Sequence, residues 1–293
     1  MATLKSFKEH LNESFELIME KLITFGGKAY PRAGNVVIMA GGAGSGKGFV
    51  KDRLIGLEGY TFDVDEIKKL AIKSKVFTDR SKSELGIDLK KLDLKNPEDV
   101  AKLHQVVGDY FEIDNKRMKS LYTSILGANP ENKPNIIFDV TLKDLTKLQN
   151  LTNAVKSIGY KSENIHIVWV VNDIEIAKKQ NMMRDRRVPV EILINTHRGV
   201  SQTMNDIVNM GKTITRYMDG DIVFAFNKVG VDSSMQQRQG ISKGKYAGMA
   251  GFITTANYFY IKRAGQPIIP LTSIEADVKR KIAEYVPKAE VWE

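Results

Sequence analysis

The chain has 293 residues, 44 Lys and Arg against 35 Asp and Glu, and no cysteine. At ~150 residues per domain this allows one large domain or two small ones, and 42% hydrophobic residues exclude a wholly disordered chain. The absence of cysteine excludes disulfide scaffolds, thiolate zinc sites and cysteine nucleophiles.

The net charge of +9 favours polyanionic partners such as nucleotides, nucleic acid or phosphorylated sugars. It equally fits a soluble protein with lysine-rich helices. Four histidines (His10, His104, His166, His197) lie far apart, which speaks against a histidine-rich metal site. No run reaches the ~18 apolar residues of a membrane helix.

Leu4, Phe7, Leu11, Phe15, Ile18 and Leu22 recur at helical spacing with Glu9, Glu13, Glu16 and Glu20 among them, so residues 3–24 read as an amphipathic helix. Those acids argue against a secretion signal or transit peptide, and the expected location is cytoplasmic. Asn35 to Ala40 is a short, continuous, β-branched run, the pattern of a buried strand. A glycine cluster follows, then a helix from about 47 to 54. Tyr60 to Asp63 reads as a second strand and Asp65 to Lys73 as a helix. Residues 74–95 read as irregular and basic.

Asn96-Pro97-Glu98-Asp99 is a helix start, with a capping asparagine, a first-turn proline and first-turn acids. A further helix is expected at about 116–125. Asn135 to Val140 is a third strand, followed by a helix over 142–158 that ends at Gly159. Ile165 to Val171 is a fourth strand, 173–186 are helical, and Pro189 opens another helix. Ile222 to Phe226 is a fifth strand. Residues 228–265 have no clear period, although Asn257 to Ile261 has strand character. Thr272-x-x-Glu275 reads as a capping box for a last helix reaching about Tyr285.

Strands alternating with helices predict an α/β fold with a parallel five-stranded sheet. The expected organisation is an N-terminal helix over 1–30, a nucleotide-binding domain of the P-loop type over 31–227, and a C-terminal extension over 228–293.

Gly41-Gly42-Ala43-Gly44-Ser45-Gly46-Lys47-Gly48 fits G-x-x-x-x-G-K between a strand and a helix, the context that the phosphate loop requires. Glycines let backbone N–H groups turn around a phosphate, the helix start favours negative charge, and Lys47 supplies a point charge to the outer phosphates. Gly42, Ala43, Gly44, Ser45, Gly46, Lys47 and Gly48 are thus the expected ATP-binding residues. Gly48 stands where the motif has a Ser or Thr hydroxyl for Mg²⁺.

Asp63 and Asp65 follow the second strand, and ligands of open α/β sheets bind beyond the carboxyl ends of strands. Either could take the proton of an attacking hydroxyl, and either could cap the next helix. Asp63 is the favoured base. Asp139 ends the third strand, placed to hold Mg²⁺ or to cap the helix after it. Arg184 and Arg186, in Gln180-Asn181-Met182-Met183-Arg184-Asp185-Arg186-Arg187-Val188-Pro189, could neutralise charge during transfer, or form a solvated basic helix end. His197 reads as a surface histidine.

The order GGAGSGKG, FDVDEIKK, IIFDVT and QNMMRDRRVP resembles zeta-toxin-like and polynucleotide-kinase-like P-loop kinases over about residues 35–227. The resemblance implies ATP in the phosphate loop, a base at Asp63 or Asp65, and Arg184 and Arg186 as lid arginines. The chain departs from the family pattern at Gly48, at Lys68 where many members carry arginine, and at Gln180 where an arginine is often seen.

The expected function is an ATP-dependent, Mg²⁺-assisted phosphotransferase acting on a sugar-like hydroxyl, on a nucleotide sugar or on nucleic acid. A hydroxymethyl base or a 5′-hydroxyl is one version of the latter. Residues 68–95 carry nine Lys/Arg against four Asp/Glu, a net +5, which suits a polyanionic acceptor. The alternatives are a degenerate nucleotide-binding module without turnover, and an interaction protein that docks through the segment after 228.

Overall fold

The computed structural model describes residues 24–25, 28–29, 33–51, 57, 59–129, 132–227, 257–287 and 290–292. The helix expected over 3–24 lies outside these except at Thr24, which is in a strand, and the far end of the helix expected over 47–54 and residues 228–256 lie outside them altogether. Thr24–Phe25 and Lys28–Ala29 pair as a minimal antiparallel ladder.

The main sheet has six strands, β1 (Val36–Ala40), β2 (Tyr60–Asp63), β3 (Ile136–Asp139), β4 (Ile165–Asn172), β5 (Ile222–Asn227) and β6 (Asn257–Lys262). Their order is β2-β3-β1-β4-β5-β6. The first five run parallel, and β6 is antiparallel to β5. The expected five strands are therefore corrected to six. The added strand is the Asn257 to Ile261 run, whose aromatic and β-branched residues complete the sheet.

All five residues of β1 and all eight of β4 are buried, as strands covered on both faces must be. β2 and β3 lie to one side of β1 and β4 to β6 to the other, so the loop after β1 sits where the strand order reverses.

The helices are α1 (Lys47–Val50), α2 (Val64–Lys73), α3 (Lys75–Leu85), α4 (Pro97–His104), α5 (Ile113–Leu126), α6 (Leu145–Ser157), α7 (Ile174–Met182), α8 (Val190–Asn209) and α9 (Ala276–Tyr285). Asn96 caps α4 through the Glu98 N–H, as its sequence dictates.

Four expectations are corrected. Residues 74–95 are not irregular. Thr78 and Ser81 are buried on α3, and their hydroxyls bond to nearby backbone carbonyls, so a face without strong apolar periodicity still packs. The helix after β3 begins at Leu145, because Asp144 caps it through the Lys147 N–H. The helix after β4 stops at Met182, which puts the arginines on a loop. Thr272 lies in a 3₁₀ turn, Leu271–Ser273, and α9 starts after Glu275 with no side-chain cap, so the capping box is not made.

The core of one sheet face includes Trp169, Phe224 and Trp292. Trp292 stacks on Trp169 at 5.7 Å between ring centroids, and its indole N–H donates to Ser201 Oγ at 2.9 Å. Ile261, Val278, Ile282 and Trp292 thus belong to the same core as the sheet. Among the described residues no helix is long and apolar enough to cross a membrane.

Candidate phosphate-binding and transfer site

The parallel strands bring their carboxyl ends to one edge. Lying there are the glycine loop after β1, Asp63 at the end of β2, Asp139 at the end of β3, Asn172 ending β4 and Asn227 ending β5. Asp63 and Asp139 are register partners, as are Asn172 and Asn227.

In the loop, carbonyls and N–H groups are treated oppositely. Every carbonyl from Gly41 to Gly46 has a donor. Lys47 Nζ donates to Gly41 O at 2.7 Å and to Gly42 O at 3.3 Å. His197 Nε2 donates to Ala43 O at 2.9 Å, Asn172 Nδ2 to Gly44 O at 3.0 Å and Asn227 Nδ2 to Ser45 O at 2.8 Å. Gly46 O accepts from the Val50 N–H. By contrast, the N–H groups of Gly42, Ala43, Gly44 and Gly46 have no acceptor among the described residues. The loop therefore turns its positive backbone ends outward, the requirement for binding an anion. Gly46 adopts φ 92°, a left-handed conformation that favours glycine. Ser45 is buried, and its Oγ has no hydrogen-bond partner among the described residues.

Lys47 Nζ also lies 3.6 Å from Asp139 Oδ1. Burial pushes the Asp139 carboxyl above its ordinary value, with Lys47 opposing. Asp139 does not cap the following helix, since Asp144 does.

The two aspartates after β2 divide their work. Asp63 caps α2, its Oδ1 accepting the Asp65 N–H at 2.8 Å. The alternative in which Asp65 is the cap is thereby corrected. Asp65 instead pairs with Arg184, at 3.3 Å, and with Arg186. Burial raises the Asp65 carboxyl, but Arg186, Lys68, Arg184 and Lys47 together outweigh it and hold the group below its ordinary value. Lys68 is buried beside this pair, and burial followed by Arg186 pushes its ammonium down.

The arginines are not a solvated helix end, because Arg186 is buried. Their loop is closed by Asn181, whose amide donates to Val188 O at 2.7 Å and accepts from the Val188 N–H at 3.0 Å. The Arg187 N–H ties the same loop to Leu94 O. Gln180 faces Asn172 at 3.5 Å.

His197 is not on the surface. It is 3% exposed and packs on the phosphate loop. Burial pushes its imidazole down to about 4, so at neutral pH it is uncharged. Ala43 O can only accept, so Nε2 carries the proton. His197, Asn172, Asn227 and Asn181 are not evident from the motifs. The asparagines do carry a signal: each of Asn172 and Asn227 is the polar residue that ends an apolar strand at the functional edge.

No protein-family model matches the sequence, and no curated protein sequence does. Solved structures do resemble the fold. The AvrRxo1-ORF1:AvrRxo1-ORF2 structure with sulphate ions matches with a TM-score of 0.47 and 13% identity, over 94% of this chain and 71% of that one. The PezAT chromosomal toxin–antitoxin system of Streptococcus pneumoniae matches at 0.43 and 11%, over 77% of this chain and 81% of that one. The AvrRxo1-ORF1:-ORF2 structure with ATP matches at 0.43 and 15%, over 75% and 62%.

Proposed function

We propose that the chain is an ATP-dependent phosphotransferase acting on a hydroxyl of a sugar-like acceptor, on a nucleotide sugar or nucleic acid. The observation that carries this reading is the loop's asymmetry, with every carbonyl from Gly41 to Gly46 engaged and the amides of Gly42, Ala43, Gly44 and Gly46 without an acceptor among the described residues, beside Lys47, Asp139 and the Asp65–arginine cluster. A bare phosphate-binding turn would not need that cluster at its edge.

ATP fits the loop through the free N–H groups of Gly42, Ala43, Gly44 and Gly46. Mg²⁺ carried with ATP supplies charge neutralisation on the phosphate oxygens, and Asp139 is the side chain that would hold it. Gly48 offers no hydroxyl for this.

Lys47 turns from the Gly41 and Gly42 carbonyls toward the outer phosphates. Arg184 and Arg186 place charge where it develops in transfer. The acceptor oxygen bonds to the γ-phosphorus, the bridge to the β-phosphate breaks, and ADP leaves. The hydroxyl proton passes to Asp65, which is ionised and faces the arginines, rather than to Asp63, the base favoured from the sequence, whose Oδ1 is engaged as the helix cap. Asp63 is held as the helix cap and orients Asp65 through its backbone.

Gly48 favours a second reading, in which the fold binds nucleotide without turnover. Transfer of the labelled γ-phosphate of ATP, screened against sugars, nucleotide sugars, DNA and RNA, separates the two. Under the first reading the unmutated protein labels one acceptor class and Lys47→Ala does not. ATP binding with no labelled product from any of them would favour the second.

A further inference from the structure

Three side chains from three separate elements grip three successive carbonyls of the phosphate loop. His197 comes from α8, Asn172 from the end of β4 and Asn227 from the end of β5. They take Ala43 O, Gly44 O and Ser45 O in that order. All three are nearly inaccessible to solvent.

Each amide or imidazole faces the loop with its N–H. The Oδ1 atoms of Asn172 and Asn227 are buried with no hydrogen-bond partner among the described residues. A buried, unsatisfied acceptor opposes folding, so an apolar residue of similar size would suit the fold better. The asparagines are matched to the loop carbonyls rather than to the core. The glycines of the motif fit the same arrangement. A Cβ at residue 42 would collide with the His197 ring, and one at residue 46 with Asn227 Nδ2.

A peptide unit has its carbonyl and the next N–H on opposite sides. Holding the carbonyls of residues 43, 44 and 45 toward the protein therefore aims the N–H groups of residues 44, 45 and 46 the other way. Of these, the N–H groups of Gly44 and Gly46 are free. The geometry points to His197, Asn172 and Asn227 as positioning residues that preset the phosphate loop for the triphosphate of a nucleotide. The inference rests on the nucleotide reading above and extends it to residues outside the motif. A loop aimed before binding loses less entropy on binding, so the clamp acts on affinity rather than on the chemical step.

The test uses the full chain with ATP as the probe, and two readouts. Asn227→Asp and Asn172→Asp keep the shape but present an oxygen to a carbonyl. His197→Phe keeps a ring and removes the donor, and His197→Gln restores an N–H at similar reach. ATP affinity and KM are measured by calorimetry and turnover, and hydrogen exchange in the loop is followed without nucleotide at the Ser45 and Val50 amides, which are bonded to Gly42 O and Gly46 O.

The expected result for His197→Phe and Asn227→Asp is loop exchange at least about 10-fold faster. ATP affinity weakens at least about 10-fold, KM for ATP rises by more than kcat falls, and His197→Gln recovers most of both losses. Should a variant fail to fold, the His197→Phe and His197→Gln pair, compared at equal melting temperature, still decides the matter. Unchanged loop exchange in the folded variants overturns the clamp. Faster loop exchange with unchanged ATP affinity overturns its role in nucleotide binding. An unmutated protein without ATP affinity overturns the nucleotide reading itself, and loop exchange then decides separately whether the three side chains hold the loop.

Discussion

Replacing Asp65 by Asn should harm both the fold and the reaction, and should harm both more than Asp63→Asn does. Asp65 neutralises Arg186, whose side chain is 9% exposed, and Arg184, which is 39% exposed. It also faces buried Lys68. Removing its charge leaves buried cations without a counter-charge. Breaking a fully buried pair costs about 3–5 kcal/mol. The Asp65 side chain keeps 31% exposure, so solvent screening brings the expected loss to about 2 kcal/mol. At ~2–4 °C per kcal/mol for a chain of this order, melting falls by about 4–8 °C. Asp63→Asn keeps the cap, because asparagine caps as well as aspartate. It loses only charge at a helix start, about 0.5 kcal/mol. Turnover should fall by on the order of 10²-fold or more in Asp65→Asn, as loss of a general base requires. The pH dependence gives an internal check. The Asp65 carboxyl is held below its ordinary value, so its contribution is present above the unfolded carboxylate pKa of ~4. It is lost as pH falls through the lower folded value. Melting curves of the unmutated protein and Asp65→Asn should therefore converge below about pH 4. Thermal melts across pH and single-turnover transfer provide the two readouts. A larger loss in Asp63→Asn on both counts would refute the division of roles between the aspartates.

Arg184→Ala should lower kcat with melting unchanged, whereas Arg186→Ala should lower both, since only Arg186 is buried; equal loss of stability in the two would contradict the geometry. Asp139→Asn should cut Mg²⁺-dependent turnover by about 10²-fold or more while leaving the fold as stable at neutral pH, or more so. Its folded pKa is raised, so its contribution to stability is present below the unfolded pKa and lost as pH rises through the folded value; melting of both proteins across pH without Mg²⁺ checks the sign. Replacing exposed Lys73, Lys75, Lys90 and Lys91 by Gln should flatten the salt dependence of binding to a single-stranded DNA oligonucleotide, by about 0.7 in log–log slope for each phosphate that is no longer neutralised. A flat slope in the unmutated protein would remove the polyanionic acceptor.

The strand–loop–helix of the phosphate site is legible in the sequence because its signals are local. β1 is a continuous apolar run, the glycines follow at once, and Lys47 stands where the loop meets the helix. The same holds for Asn96, whose cap is made within two residues. Residues 74–95 escape such a reading for a related reason. Their helix packs through buried Thr78 and Ser81, and hydroxyls that bond to the backbone nearby leave no apolar stripe to count. β6 has the composition of a strand, but its antiparallel partner is β5, and no local pattern names a partner. The aspartates show the limit most directly. Capping is a two-residue matter, and either Asp63 or Asp65 satisfies its chemistry. What separates them is Arg186, far along the chain, whose place beside Asp65 depends on the whole sheet and on the Asn181 clasp.

The phosphate loop follows the same rule at its back. Its glycines are visible as a motif, yet the donors that orient it lie 154, 128 and 182 positions away, at His197, Asn172 and Asn227. A glycine-rich segment alone has many conformations and no preferred side for its amides. The parallel sheet supplies the missing specification, because it ends β4 and β5 in register and puts one asparagine from each beneath the loop. Local sequence thus makes the loop able to bind phosphate, and long-range packing decides which way it faces. The motif glycines and the three donors should consequently change together in their effect. A side chain at residue 46 and the loss of Asn227 disturb the same peptide, so their combined loss of ATP affinity should be smaller than the sum of the two separate losses. Full additivity in that double-mutant cycle would mean the loop is oriented by its own glycines and that Asn227 acts elsewhere.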